Sequence, residues 1–578
     1  MTQVSDEQLQ IIGAPLAPMS VIACAGSGKT FTAVRRLAQM RQHLGEHRGR
    51  VALLSFSNVA VDTFRREYQN LAQSASGGFT HDRVEIDTLD GFITRNVLHP
   101  HAYRTMGAQQ AAFLVTGGEA FLNGFKFQTG TYPREITKMQ VGFDRGNVYF
   151  CYADNDRTQR LDTAYATGLV HRLGQVGAYT HNLGRYWCHR VLDDQPSILR
   201  VLIRRYPHIL IDEAQDIGTV HQAIIEQFIN AGCQVSLIGD PNQGIYEFAG
   251  ANGTFLTQYG ERQGVNSLGL TRNYRSVPAI LALANGLSAR IDTADRSAPE
   301  TTHGTYFVPY RNAERENLIA AFQAAVLVAG LNLERSAVLC RGRDMADRLA
   351  GNEGAPGQGT VKALAQAAIL RDRHHDYLGA FKLVAACIVG LLANPPQGLV
   401  ARITQPARYP DDRLLRRLVW AFTRDPELGL PAVTLIGGTQ WHPQLLERAR
   451  ALLATIEQKH GLASANNLGN KLARRGLPHT PLIAAVDLAA NNDMPRIRVD
   501  TIHQAKGESL DAVLYLANRD HANALLAGVD TEVGRIGYVA VTRARNLLWL
   551  GVPVNALEEL RPVLLARGFQ EAGAAALA

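Results

Sequence analysis

Three segments of this 578-residue chain combine residue types that suit phosphate chemistry. In MSVIACAGSGKTFTAVRRLAQM (19–40), an apolar stretch at Val21 and Ile22 runs into a glycine-rich turn. A helical pattern follows, with Phe31, Val34 and Leu37 on one face. That is the setting of a phosphate loop. Gly26 and Gly28 let the backbone of Ala25 and Ser27 wrap around a phosphate. Lys29 supplies a point charge, and the Thr30 hydroxyl can ligate Mg²⁺. The first glycine of the general pattern is Ala23 here. In HILIDEAQD (208–216) an apolar strand ends in Asp212 and Glu213. One carboxylate there can hold Mg²⁺, and the adjacent one can take a proton from an attacking water. In QVSLIGDPNQGIYEF (234–248) a third apolar run ends at Asp240 and Gln243, where a polar sensor of a terminal phosphate would sit. Tyr246 and Phe248 follow at i, i+2; they are either core residues or faces on which bases stack.

These residues need elements to hold them. Apolar runs VIACA, VALLSF, HILIDE, QVSLIGD and SLGLT alternate with helical stretches, which predicts a parallel sheet with both faces covered. A second set, SAVLCR, RVDTI, AVLYLAN and LLWLGVP, predicts another sheet toward the C-terminus. Residues 99–199 read as an insertion: a helical stretch at Ala108–Leu122, a strand-like QVGFDRGNVYFCYAD with Tyr149, Phe150 and Tyr152, then helices over Leu161–Arg172 and Leu183–Arg204. Residues 346–491 are rich in Ala, Leu and Arg and read as almost purely helical, opening on the loop GNEGAPGQG (351–359). Arg413, Arg416, Arg417, Lys471, Arg474 and Arg475 in that region read as a solvated face or a polyanion surface.

Composition narrows the classes. Apolar residues make up 46% and charged residues 19%, as in folded globular chains, and a net charge of +7 fits a polyanion partner without requiring one. The longest apolar run, Leu383–Ala393, is too short to span a bilayer, so no membrane role is expected. MTQVSDEQLQ has no secretory pattern. Six scattered cysteines without a CxxC pair argue against disulfides, a zinc ribbon or an iron–sulfur cluster. A reducing, cytoplasmic compartment is expected. His374 and His375 in RDRHHDY are adjacent rather than i, i+4, so no structural metal is assigned.

Taken in order, the motifs resemble those of superfamily 1 helicases of the UvrD/Rep type along nearly the whole chain. The resemblance implies two RecA-like phosphate-loop motor domains, each interrupted by a mainly helical insertion: motor 1A at 1–98 and 200–276, insertion 1B at 99–199, motor 2A at 277–345 and 492–578, and a reduced insertion 2B at 346–491. It implies ATP and Mg²⁺ as cofactors. Gln8 in VSDEQLQII would read the adenine edge, Tyr274 in LTRNYRS would stack on adenine, and Arg275 would reach the γ-phosphate. Gly507 and Glu508 in TIHQAKGES would lie near the nucleotide, and Arg543 in YVAVTRAR would be a second arginine finger. Phe56, Ser57 and Asn58 in LLSFSNVAV, with Tyr246, Phe248, Thr501, His503 and Lys506, would meet single-stranded DNA. Arg275 and Arg543 lie 268 residues apart, so meeting one phosphate requires two lobes that close on it. The family implies an ATP-driven translocase and DNA helicase running 3′ to 5′ on single strands, tailed duplexes or ends.

The chain departs from the family in four places. Ala249 stands where arginine is usual, Phe248 where tryptophan is frequent, and Glu508 follows Gly507 directly. Asp90-Gly91-Phe92 in IDTLDGFITRNVLHP (86–100) replaces the usual His-Ser. The 33 residues after Arg545 leave no room for a fused nuclease. Together with the reduced 2B region, these features are similar to the helicase-like subunit of Gabija-type anti-phage systems. That similarity implies a DNA-end sensor and ATPase working beside an OLD-type nuclease, with little processive unwinding.

Overall fold

The computed structural model describes residues 4–572, apart from 46, 75–82, 118, 131, 145, 155–156, 248–249, 298–302, 350–354, 397, 407–408 and 486–496. The chain divides into two compact units: Met1–Arg341 with Asp500–Ala578, and Gly342–Val499.

The first unit is built on two parallel sheets. Strands β1 (Met19–Ala23), β2 (Val51–Ser55), β3 (Val84–Thr88), β4 (His208–Ile211), β5 (Gln234–Gly239) and β6 (Asn266–Leu270) form a six-stranded sheet in the order β6-β1-β5-β4-β2-β3. Every pairing in it is parallel. β2 reads VALLS and is buried at all five positions, as expected of a strand covered on both faces. β3 is absent from the sequence-based reading. Its pattern VEIDT hides the strand because Glu85 and Asp87 are inward carboxylates: Arg95 pairs with Asp87 at 2.6 Å, and the Tyr206 hydroxyl donates to Glu85. Helix α1 (Asp6–Gly13) precedes β1, and α2 (Lys29–His43) follows it.

The second sheet contains β7 (Gly304–Tyr310), β8 (Ala337–Cys340), β9 (Arg498–Thr501), β10 (Leu510–Leu516), β11 (Ala544–Pro553) and β12 (Gln570–Glu571), in the order β9-β8-β10-β11-β7-β12. β10, β11 and β7 pair in parallel at its centre. The predicted α/β class with two motor-type sheets therefore holds. β7 is a further strand that the pattern reading lacked.

Between β3 and β4 the chain forms helices His99–Met106, Thr163–Gln175, His181–Asp194 and Pro196–Arg205 around a three-stranded antiparallel sheet of 140–160. The expected helix at Ala108–Leu122 does not form among the described residues, where only a 3-10 turn, Ala120–Phe125, overlaps its end. Gly107, at φ +68°, ends the preceding helix, and Phe113–Leu114 pairs in parallel with Ala178–Tyr179. Phe150 and Tyr152 are buried in the core, as packing residues, while Tyr149 is half-buried.

The second unit is helical in its described residues. Helices Gly359–Asp372, Tyr377–Gly390, Arg413–Arg424 and His442–His460 pack around Trp441, whose indole N–H donates to the Pro431 carbonyl at 3.1 Å. The apolar run at Leu383 contributes Val384, Ala385 and Ile388 to this core. No helix among the described residues is long and apolar enough to cross a membrane.

Candidate active site

The chemistry-bearing segments meet where the strands of the first sheet end. β1, β4, β5 and β6 are neighbours, so the loops after them share one edge, the place where open α/β sheets bind ligands.

The phosphate loop is held from three sides. Gly26 and Gly28 adopt φ +75° and +78°. A Cβ on Gly26 would lie 2.5 Å from the Arg275 Cβ, so only glycine allows the close approach of that segment. Asn273 donates to the Ala25 carbonyl at 2.6 Å, and its own oxygen accepts from the N–H groups of Arg275 and Ser276, both at 2.8 Å. Tyr274 N–H donates to the Gly26 carbonyl at 2.9 Å. The Ser27 hydroxyl donates to the Cys24 carbonyl, and Gln8, on α1, donates to the Ser27 carbonyl at 3.2 Å. Lys29 and Thr30 open α2, where free backbone N–H groups add positive potential.

α1 itself is locked in place. Arg36, buried within α2, donates to the carbonyls of Ile12, Ala14 and Pro15. Glu7 accepts from Thr271 N–H at 2.9 Å. Gln8, Ser27 and Tyr274 therefore belong to one rigid rim. The Tyr274 hydroxyl is buried without a hydrogen-bond partner.

Asp212 and Glu213 follow β4, as expected. Asp212 is buried, and its Oδ1 has no hydrogen-bond partner. Burial, and then the charge of Glu213, push its carboxyl up to about 8. An orphaned carboxylate oxygen facing a lysine-bearing phosphate loop fits a divalent cation, with Thr30 beside Lys29 as the second ligand. Glu213 differs: burial would raise its carboxyl, but Lys29, Lys506, the Gln215 amide and Arg543 together hold it below the usual range. Among the described residues it is also one of four non-glycine residues at positive φ, at +53°. Such a backbone costs on the order of 1 kcal/mol and aims the side chain away from the strand direction.

A chain of side chains runs from this pair to the second sheet. Gln215 donates to Glu213 and accepts from Asp240 N–H at 3.0 Å. Gln243 donates to Asp240 at 2.8 Å, and its oxygen accepts from Arg543 at 2.8 Å. Arg543 ends the helix Glu532–Arg543 beside β11 and also donates to the carbonyls of Glu508 and Val539. Arg275 donates to the Thr542 carbonyl at 2.8 Å; burial, then the neighbouring Arg543, lower it to about 9. The two arginines predicted to converge thus stand next to each other. Gly507 and Glu508 reach the same seam, where the Glu508 carbonyl accepts from Arg543 at 3.2 Å.

Lys506 crosses the seam as well. Its ammonium donates to both Asp216 oxygens at 2.6 and 2.7 Å and to the Gln243 carbonyl at 3.0 Å. It also lies 4.7 Å from the Tyr246 ring centre, with the His503 ring 5.8 Å from Tyr246. Lys506 is therefore an internal bridge. Thr501 is buried and exchanges hydrogen bonds with Gln504. Phe56 is half-buried, its ring centre 5.5 Å from that of His221 with the planes at 74°, while Ser57 and Asn58 are exposed at the start of helix Asn58–Ser74. Phe248 and the Ala249 departure lie outside the described residues. All six cysteines are buried, and none forms a disulfide.

Pattern reading missed Asn273, Gln215 and Arg535. The first two sit inside quoted motifs, where the neighbouring charged and aromatic residues drew the attention. Arg535, one turn into its helix, donates across the seam to the Gly244 carbonyl at 2.7 Å and pairs with Glu247 at 2.6 Å.

A phosphate loop, a strand-end carboxylate pair and arginines from two sheets meet on one seam, an arrangement suited to nucleoside-triphosphate hydrolysis. Residues 4–140 and 133–263 match the UvrD/REP helicase N-terminal domain. Relatives extend the match to nearly the whole chain. YjcD of Bacillus subtilis, a DNA helicase by name, is 24% identical over 96% of this chain and 79% of its own length. The ATP-dependent DNA helicase UvrD2 of Mycobacterium tuberculosis is 23% identical over 94% and 77%. DNA helicase II of Escherichia coli matches half of this chain and 40% of its own length at 23% identity. The chain is thus similar to UvrD-like helicases, and it is an enzyme of the ATP-hydrolysing helicase class.

Proposed function

We propose that this chain couples ATP hydrolysis to movement along single-stranded DNA, 3′ to 5′, opening duplexes that carry a 3′ tail. The observation that carries the reading is the bond from Arg543 to Gln243, which joins the second motor's arginine to the first motor's phosphate-sensing loop. In this reading motor 1A takes 1–98 and 200–276, insertion 1B 99–199, motor 2A 277–345 and 492–578, and insertion 2B 346–491. Gln8 and Tyr274 bind adenine. Ala25, Gly26, Ser27, Gly28 and Lys29 hold the phosphates, and Glu213 takes the proton of the attacking water. Thr30 and Asp212 would hold Mg²⁺, which supplies charge neutralisation at the phosphate oxygens. Arg275 and Arg543 stabilise the transferring phosphoryl group, and Gln243 reports its presence to Asp240. Ser57 and Asn58 meet the strand at a helix N-terminus, and Phe56, Tyr246, Phe248 and His503 offer ring faces. Thr501 shapes the turn beneath His503.

The test is strand displacement on a 3′-tailed duplex. Wild type opens it with ATP, and Lys29→Ala abolishes both turnover and opening. Opening of 5′-tailed substrates alone would overturn the polarity, and turnover in Lys29→Ala would overturn the site. Asp90, turned inward in place of the usual His-Ser, and the helical 342–499 unit favour a second reading: an end-sensing ATPase paired with an OLD-type nuclease. Co-purification of such a nuclease, with end-stimulated turnover but no opening, would select it.

A further inference from the structure

Asp90 sits in the first turn after β3, at the same sheet edge as Phe56. Both of its oxygens are taken. Arg185, from helix His181–Asp194 of the insertion, makes a two-toothed contact at 2.9 and 2.6 Å. His221, from helix Thr219–Asn230, approaches at 3.0 Å. An ionised carboxylate only accepts, so His221 must carry its proton on Nε2. The same imidazole meets the Phe56 ring in an edge contact at 5.5 Å. The insertion touches this helix a second time, where Phe143 N–H donates to the Thr219 hydroxyl at 3.1 Å.

The chemistry separates two roles that one residue could otherwise combine. A free aspartate beside a nucleic-acid path would repel phosphates. Here the guanidinium balances its charge, and what reaches Phe56 is an oriented, buried imidazole. A ring fixed on one edge loses the freedom it would otherwise give up on stacking, which favours binding.

We propose that Asp90, His221 and Arg185 form a positioning triad that fixes the Phe56 ring as a base-stacking face and ties it to the insertion. This rests on the reading that the strand crosses Phe56. If the triad acts through the Phe56 ring, its loss weakens binding without removing a phosphate contact.

The test uses the full chain and a fluorescent oligodeoxythymidine, followed by anisotropy across salt concentrations. Phe56→Ala is expected to weaken binding about tenfold, the value of one stacked base. His221→Leu is expected to approach that loss, with a salt slope within about 0.7, one phosphate contact, of wild type. The double variant should bind no more weakly than Phe56→Ala alone, because both act on one ring. Arg185→Lys keeps the charge but loses the two-toothed geometry. It should show a smaller loss with the same non-additivity, and it decides the matter if His221→Leu does not fold. A double variant that loses the product of the single effects, or wild-type binding by His221→Leu, overturns the triad while leaving the strand path intact. Wild-type binding by Phe56→Ala overturns the strand path, and the triad with it.

Discussion

The bridge between Lys506 and Asp216 gives a prediction whose size changes with pH. In the wild type, burial, then Lys506 and Glu213 acting in opposite senses, leave Asp216 raised from 3.8 to about 6. A carboxylate with a raised folded pKa stabilises the fold fully below its unfolded value and loses that contribution as pH rises through the folded value. At about 1.4 kcal/mol per pH unit, ionising Asp216 costs about 3 kcal/mol above pH 6. Lys506→Met removes the lowering charge, so Asp216 stays protonated to higher pH. The variant's cost then grows with pH: at most about 4 kcal/mol at pH 7 and about 6 at pH 8.5. The difference from wild type is close to zero at pH 5, about 1 kcal/mol at pH 7 and up to about 3 at pH 8.5. Chemical denaturation of both proteins at these three pH values measures it. A penalty that is equal at all three, or that shrinks as pH rises, would refute the account of Asp216 as a buried acid restrained by Lys506.

Other outcomes follow from the same seam. Gln243→Ala removes the acceptor for Arg543 and should lower kcat of ATP turnover by about 10- to 100-fold with little change in KM, measured by steady-state kinetics. Asp212, raised to about 8, must release a proton to bind a cation, so Mg²⁺ affinity should climb about tenfold per pH unit between pH 6 and 8; calorimetry in buffers of different ionisation enthalpy should register about one proton released. Asn273→Ala deletes three hydrogen bonds under the phosphate loop and should cost about 2–4 kcal/mol in urea denaturation. Gly26→Ala, with φ +75° and Arg275 in the way of a new Cβ, should abolish nucleotide binding in a fluorescent-ATP titration.

Much of this site could be read from the sequence because its residues follow apolar runs. Lys29, Asp212 and Gln243 each stand just beyond a buried strand, and parallel strands place such positions on one edge whatever lies between them. The adjacency of Arg275 and Arg543 was implied by the family resemblance, which gives both arginines to one phosphate, and not by any local pattern. Periodicity fails where polar groups are buried in pairs. β3 was hidden because Glu85 and Asp87 look like surface residues until Arg95 and Tyr206 are seen against them. The partner of Asp90 lies 95 residues away in an insertion, a distance no local pattern bridges. At Ala108–Leu122 good helix formers lost to Gly107 and to a two-residue strand pairing.

Arg36 has a practical consequence for anyone altering the N-terminal segment. Its guanidinium is in the interior only because the carbonyls of Ile12, Ala14 and Pro15 surround it. Trimming the chain through Pro15 would remove those acceptors and strand a cation beneath the phosphate loop, a fault of several kcal/mol. Residues 6–15 are thus a keystone beneath the phosphate loop. Labels, fusions or shortened versions that disturb them should fail in expression before any question of nucleotide preference arises.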